Sequence, residues 1–219
     1  VLFVKLDATD IESANSFKTK LAALTDKATY DFRYIITGGL DDTELNKVIA
    51  DIAKTRGDCI ALVDIPENVY VQNGHAVSAT AITGIKDYLK ANGDSYAQSA
   101  VGKYTALFAP YVTYKSSSIH GAKYKSGDGT FNCTFPGSFH YLVCAANAFG
   151  NLGFNEWYAV AGYTRGVGDY AIEGVTCKFG EEATRVLEPR HDAEAEADKI
   201  YCAVNLITTI RGAHYIWGN

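Results

Sequence analysis

The chain has 219 residues, enough for one large domain or two small ones with a real core. Hydrophobic residues make up 47 % and charged residues 21 %, and the net charge of −5 argues against binding nucleic acid by general neutralisation of phosphates. No run approaches the roughly 18 apolar residues that cross a bilayer, and Val1 to Asp10 lacks the basic start and apolar run of a signal peptide.

In chain order, strand and helix signals alternate. Val1 to Leu6 is a short apolar run of strand type, and Ile11 to Leu24 places Ile11, Ala14, Phe17, Leu21 and Leu24 near helical spacing. Phe32 to Ile36 predicts a buried strand ending at the turn signal Gly38-Gly39. Asp41 is the expected N-cap of the next helix, with Glu44 three residues on as in a capping box. Leu45, Val48, Ile49 and Ile52 form its apolar face, and Gly57 its end. Cys59 to Ile65 predicts a central strand, Ala76 to Leu89 a helix ending near Gly93, and Thr105 to Val112 a strand that Pro110 places at an edge or an end.

Lys115 to Pro136 turns to Ser, Gly, Lys and Thr, the composition of a surface loop or hairpin insertion with its turn at Gly127-Asp128-Gly129. Ser138 is the expected cap of a helix reaching about Phe149. Gly150 to Gly168 is rich in Gly and aromatic residues without a period, and Glu181 to Lys199 is charged and rich in Ala. The alternation predicts an α/β fold: a mixed, largely parallel sheet flanked by helices, spanning 1–219 as one domain. Both ends read as cuts through a longer protein.

The chemical motifs are sparse. Cys59, Cys133, Cys144, Cys177 and Cys202 are odd in number and form no CxxC pair, which predicts reduced thiols in a protein folded in a cytoplasm. His75, His120, His140, His191 and His214 show no metal-ligand spacing. Cys144 lies four residues after His140 and shares its helical face, yet nothing nearby supplies the rest of a thiol-nucleophile site, so a buried Cys and a structural His are expected. Gly38-Gly39 lacks a phosphate-loop pattern and precedes two acidic residues, so it reads as a plain turn. Arg56-Gly57-Asp58 is an adhesion tripeptide by letter only, at a helix end. The 15 Tyr residues leave one alternative class, a carbohydrate- or surface-binding module with Tyr111, Tyr114 and Tyr124 as a platform around the Ser-rich loop.

Four ordered segments carry a resemblance. Tyr104-Thr105-Ala106-Leu107-Phe108-Ala109-Pro110-Tyr111-Val112 is similar to a "Y-A-A-L-Y-x-P-W-V" strand. Pro136-Gly137-Ser138-Phe139-His140 with Val143-Cys144-Ala145 is similar to a "P-x-S-G-H-V-A-G" helix entry. The stretch from Trp157 through Gly162 to Arg165-Gly166 is similar to "P-W-x-x-P-A-G-x-x-R-G", and Val204-Asn205-Leu206-Ile207, Gly212 and Ile216-Trp217-Gly218-Asn219 to "I-N-x-I … G-x-x-x-W-G-N". Together they resemble the sheath family of contractile bacteriophage tails. Glu156 and Val160 stand where the family usually has Pro, and Phe139 where it has Gly, which suggests a divergent branch such as giant phages of the phiKZ type.

The resemblance implies a sheath-type domain and a structural subunit rather than an enzyme, with no cofactor. It implies partners that are further copies of itself, in hexameric rings stacked helically in the full-length protein, together with tail tube and baseplate proteins, and a place in the virion tail. It implies no direct contact with nucleic acid and no membrane insertion. Trp157, Tyr158, Tyr163, Arg165 and Trp217 are the candidate structural or inter-subunit contacts, because large amphipathic rings and Arg are enriched at protein interfaces. The competing expectation is that Trp157 and Tyr158 fill this domain's own core and that Arg165 caps a loop.

Overall fold

The structure, a computed structural model, describes residues 19–38, 40, 42–72, 75–76, 78–96, 104–115, 132–166, 172–179, 204–210 and 213–216. The segments expected at Val1–Leu6, most of Ile11–Leu24, the turn at Gly127-Asp128-Gly129, and Glu181–Lys199 lie outside the described residues.

The fold is mixed α/β, with parallel and antiparallel sheets. Among the described residues its main sheet has five strands: β1 (Tyr34–Ile36), β2 (Ile60–Asp64), β5 (Thr105–Ala109), β9 (Val204–Ile210) and β10 (Ala213–Ile216), in the order β1-β2-β5-β9-β10. The first four are parallel and β10 is antiparallel to β9. A two-stranded ribbon joins β3 (Val71–Gln72) to β4 (His75–Ala76), and β6 (Val112–Lys115), β7 (Asn132–Phe135) and β8 (Ile172–Val175) form an antiparallel sheet in the order β7-β6-β8. The order of the parallel strands follows the chain without reversal. The described sheet therefore lacks the switch point at which open α/β sheets open a ligand crevice.

Because side chains alternate across a strand, the sheet has two buried faces. Ala61, Val63, Leu107 and Ala109 point to one core, built with Leu45, Ile49 and Ile52 of α1 (Thr43–Arg56) and Ile82, Ile85 and Leu89 of α3 (Ser78–Tyr96). Asp64, Phe108 and Ile207 meet α4 (Gly137–Ala146), whose Cys144 and Ala145 share a second core with Val112, Tyr114 and Val160. Each fully buried Leu, Ile or Phe stabilises the fold by about 1.5–3 kcal/mol relative to exposure.

Local details depart from the sequence expectations for identifiable reasons. The N-cap of α1 is Asp42, not Asp41: its carboxylate accepts from the backbone N–H of Glu44 and Leu45 at 2.8 and 2.9 Å. Glu44 thus falls one position too early for a capping box and pairs with Lys47 at 2.8 Å. Gly57, at φ +68, ends the helix where expected. Helix α3 runs through Gly93 to Tyr96. The strand expected over Thr105–Val112 is two strands, with the cis Ala109–Pro110 bond between them, so Pro110 marks the end of a central strand and not an edge. Ser138 is not the cap of α4. Pro136 holds that position, and Ser138, in the first turn, is turned inward.

The two ends of the Lys115–Pro136 segment belong to β6 and β7, which pair antiparallel. Phe135 stacks on Phe139 at 4.6 Å between centroids and Pro136 is buried, so this end of the segment is part of the core.

Candidate functional site

Leu152 to Gly166 leaves α4 through a π-type turn (Asn147–Asn151) and returns through the one-turn helix α5 (Gly162–Arg165). Gly153, at φ +70, lets the backbone double back so that the N–H of Phe154 donates to the carbonyl of Ala148 at 3.0 Å. The turn exposes a group of rings. Trp157 is 79 % exposed and Tyr158 44 %, and their rings lie nearly parallel (21°) with centroids 6.2 Å apart. Phe154 meets Tyr158 edge-on at 5.7 Å. The guanidinium of Arg165 lies 5.4 Å from the centroids of both Phe154 and Tyr158, within cation–π range, and its Nε donates to the Ala159 carbonyl at 2.7 Å. Beside them Glu156 faces Arg33, at the entry to β1, at 3.6 Å.

The structure thus brings Trp157, Tyr158 and Arg165 together, and adds Phe154, which the sequence reading did not single out. Trp157 does not fill the core, contrary to one of the two readings of the sequence, whereas Arg165 does brace its loop. Tyr163 lies within α5, with its side chain outside the described residues, as is Trp217. The spacing of Phe154 and Tyr158, four residues apart, was the only signal available for the missed ring.

Beneath this surface lies a polar chain. His140 and Cys144 share a face of α4, with Cys144 Sγ 3.5 Å from His140 Nε2. His140 Nδ1 is 2.6 Å from the hydroxyl of Tyr114 on β6, and Cys144 Sγ is 3.4 Å from the carbonyl oxygen of Gly166. All four residues are buried. Burial pushes the Cys144 thiol up to about 12 and raises the Tyr114 phenol, so both hold their protons at neutral pH. A thiol in this state is a weak nucleophile and has no open face for a substrate.

A second polar link crosses the sheet. The buried Asp64, at the end of β2, accepts from the backbone N–H of Ser138 at 2.8 Å and from its hydroxyl, while Asn46 of α1 donates to the Asp64 carbonyl at 3.2 Å. A carboxylate at the first turn of α4 is also favourably placed for the helix dipole. An acidic residue, Asp64, inside the otherwise apolar run Cys59–Ile65 was the signal that could have flagged it.

Of the residues of the tyrosine platform expected around the Ser-rich loop, Tyr114 is turned into the core. Tyr114 is 4 % exposed and faces His140, and Tyr111 is half-buried with its N–H donating to the Tyr70 hydroxyl at 3.1 Å. Tyr124 lies outside the described residues. Cys59, Cys144 and Cys177 are buried reduced thiols, while the Cys133 side chain and Cys202 lie outside the described residues. Among the described residues no three His, Cys, Asp or Glu side chains are placed to share a metal ion, and no helix is long and apolar enough to cross a membrane.

No protein-family model matches the chain, and no curated protein matches it.

Proposed function

We propose that the chain is a structural subunit of a contractile bacteriophage tail sheath, a protein that polymerises around the tail tube and contracts to drive it through the host envelope. The observation that carries this reading is the ordered series of four sequence segments between Tyr104 and Asn219. The cluster of Phe154, Trp157, Tyr158 and Arg165 supports it, since exposed Trp, Tyr and Arg are the side chains that dominate protein interfaces. In this reading the partners are other copies of the chain in stacked hexameric rings, with tail tube and baseplate proteins, and the protein resides in the virion tail. Contraction moves whole subunits between two packings, which calls for switchable surface contacts on a body that keeps its own fold.

Electron microscopy of the expressed full-length protein tests the proposal. Hollow striated tubes or stacked rings are expected. A particle that stays monodisperse and binds sugars on a glycan array would overturn it. Trp157→Ala is expected to weaken self-association by about tenfold or more while changing stability by less than about 0.5 kcal/mol, since the ring is on the surface. Sedimentation velocity and thermal unfolding measure the two quantities separately.

A further inference from the structure

The polar chain under the aromatic surface has a direction that can be deduced. The carbonyl of Gly166 can only accept, so the Cys144 S–H donates to it. With its proton committed, Sγ accepts from His140 Nε2–H. His140 Nδ1 is then the bare nitrogen, and the Tyr114 hydroxyl donates to it. The order is Tyr114 O–H to His140, His140 N–H to Cys144, Cys144 S–H to Gly166, and each member orients the next.

Gly166 follows directly on Arg165, whose guanidinium holds the Ala159 carbonyl and faces the rings of Phe154 and Tyr158. The N–H of Gly166 is itself held by the Gly162 carbonyl at 3.0 Å, so the loop has one fixed point at its base. We propose that Cys144 is a positioning residue, oriented by Tyr114 and His140, that anchors Gly166 and so sets the arrangement of Phe154, Trp157, Tyr158 and Arg165 at the surface. The use made of that surface rests on the subunit reading above, but the positioning is a property of the single chain.

Nuclear magnetic resonance on the 219-residue chain tests it without any assembly step, so its failure and that of the subunit reading are distinguishable. Cys144→Ala removes the donor to Gly166 and the acceptor for His140. It is expected to shift the Trp157 indole and Arg165 Nε–H resonances, and Cys144→Ser, which keeps a donor, is expected to return them toward their original positions. Ile207→Val trims the same core cluster without removing a donor or acceptor of the polar chain, and should lower the melting temperature while leaving both resonances in place. Unmoved resonances in Cys144→Ala, no return in Cys144→Ser, or an equal shift in Ile207→Val would overturn the proposal. Should Cys144→Ala not fold, the wild-type His140 ring decides. A neutral Nε2–H tautomer is expected, and an Nδ1–H tautomer or an imidazolium at neutral pH would overturn it.

Discussion

Among the described residues, Arg56 is the largest side chain with essentially no solvent exposure, and its surroundings explain why a charge can sit there. Its guanidinium donates to both carboxylate oxygens of Asp58 at 2.9 and 3.1 Å, and to the carbonyls of Leu24 at 2.7 Å and Tyr30 at 2.9 Å. The Phe32 ring covers it at 4.1 Å. Five fixed donors in a planar fork suit this arrangement, and an ammonium cannot reproduce it. Arg56→Ala is therefore expected to cost about 3–5 kcal/mol, since it empties the space of a large buried side chain and leaves two carbonyls without their donor. Arg56→Lys should recover only part of that loss. Urea unfolding of the two variants measures both, and a loss below about 1 kcal/mol for Arg56→Ala would contradict this account. The same geometry disposes of the adhesion tripeptide: Arg56 faces inward, Gly57 ends a helix and Asp58 is its ion-pair partner.

Between elements, the decisive contacts are ones that propensity misjudges. Gly84 lies inside α3, where Ala would ordinarily be favoured by about 1 kcal/mol. A Cβ at Gly84 would overlap the backbone carbonyl oxygen of Val69, in the one-turn helix α2 (Glu67–Tyr70). Gly84→Ala is thus expected to destabilise by about 1–3 kcal/mol, the cost typical of overpacking, and a higher melting temperature would refute it. Ser138 carries the docking of α4 onto the sheet through Asp64. Ser138→Ala should cost about 1–3 kcal/mol, because a buried carboxylate oxygen loses its hydroxyl donor, and Ser138→Thr should retain part of the bond. Helix periodicity made α1 legible from Leu45, Val48, Ile49 and Ile52, and Gly57 marked its end. Two adjacent acids could each have capped it, and only the backbone's path into the helix selects Asp42. Phe32, counted with the first strand by its apolarity, is instead drawn aside to cover Arg56, so β1 begins at Tyr34.

Across the whole molecule, the buried thiols tie stability to alkaline pH. Burial raises Cys144 to about 12 and Cys177 to about 11 from an ordinary value of 9.0. Between those limits the unfolded chain has released thiol protons that the folded chain still holds, so stability falls as pH rises through the window. Burial raises the phenols of Tyr70, Tyr114 and Tyr141 as well, which acts in the same direction at higher pH. The urea midpoint is expected to drop between about pH 9 and about pH 11, and Cys177→Ala should reduce the drop. An unchanged midpoint would mean that these thiols are reached by solvent.

By itself, the sequence determined the run β1, α1, β2, α3 and β5, because the side-chain periods of strand and helix differ and are written locally. It also determined that several of the thiols lie in apolar runs and that the four family-like segments follow in order. Only the tertiary structure decided which face each element turns inward. It joined Asp64 to Ser138, 74 positions apart, and Tyr114 to His140, 26 apart, through bonds that local spacing cannot encode. The same packing buried Arg56 and Tyr114 and left Trp157 outside: a guanidinium or a phenol is stable in a core only where groups brought from elsewhere in the chain satisfy it.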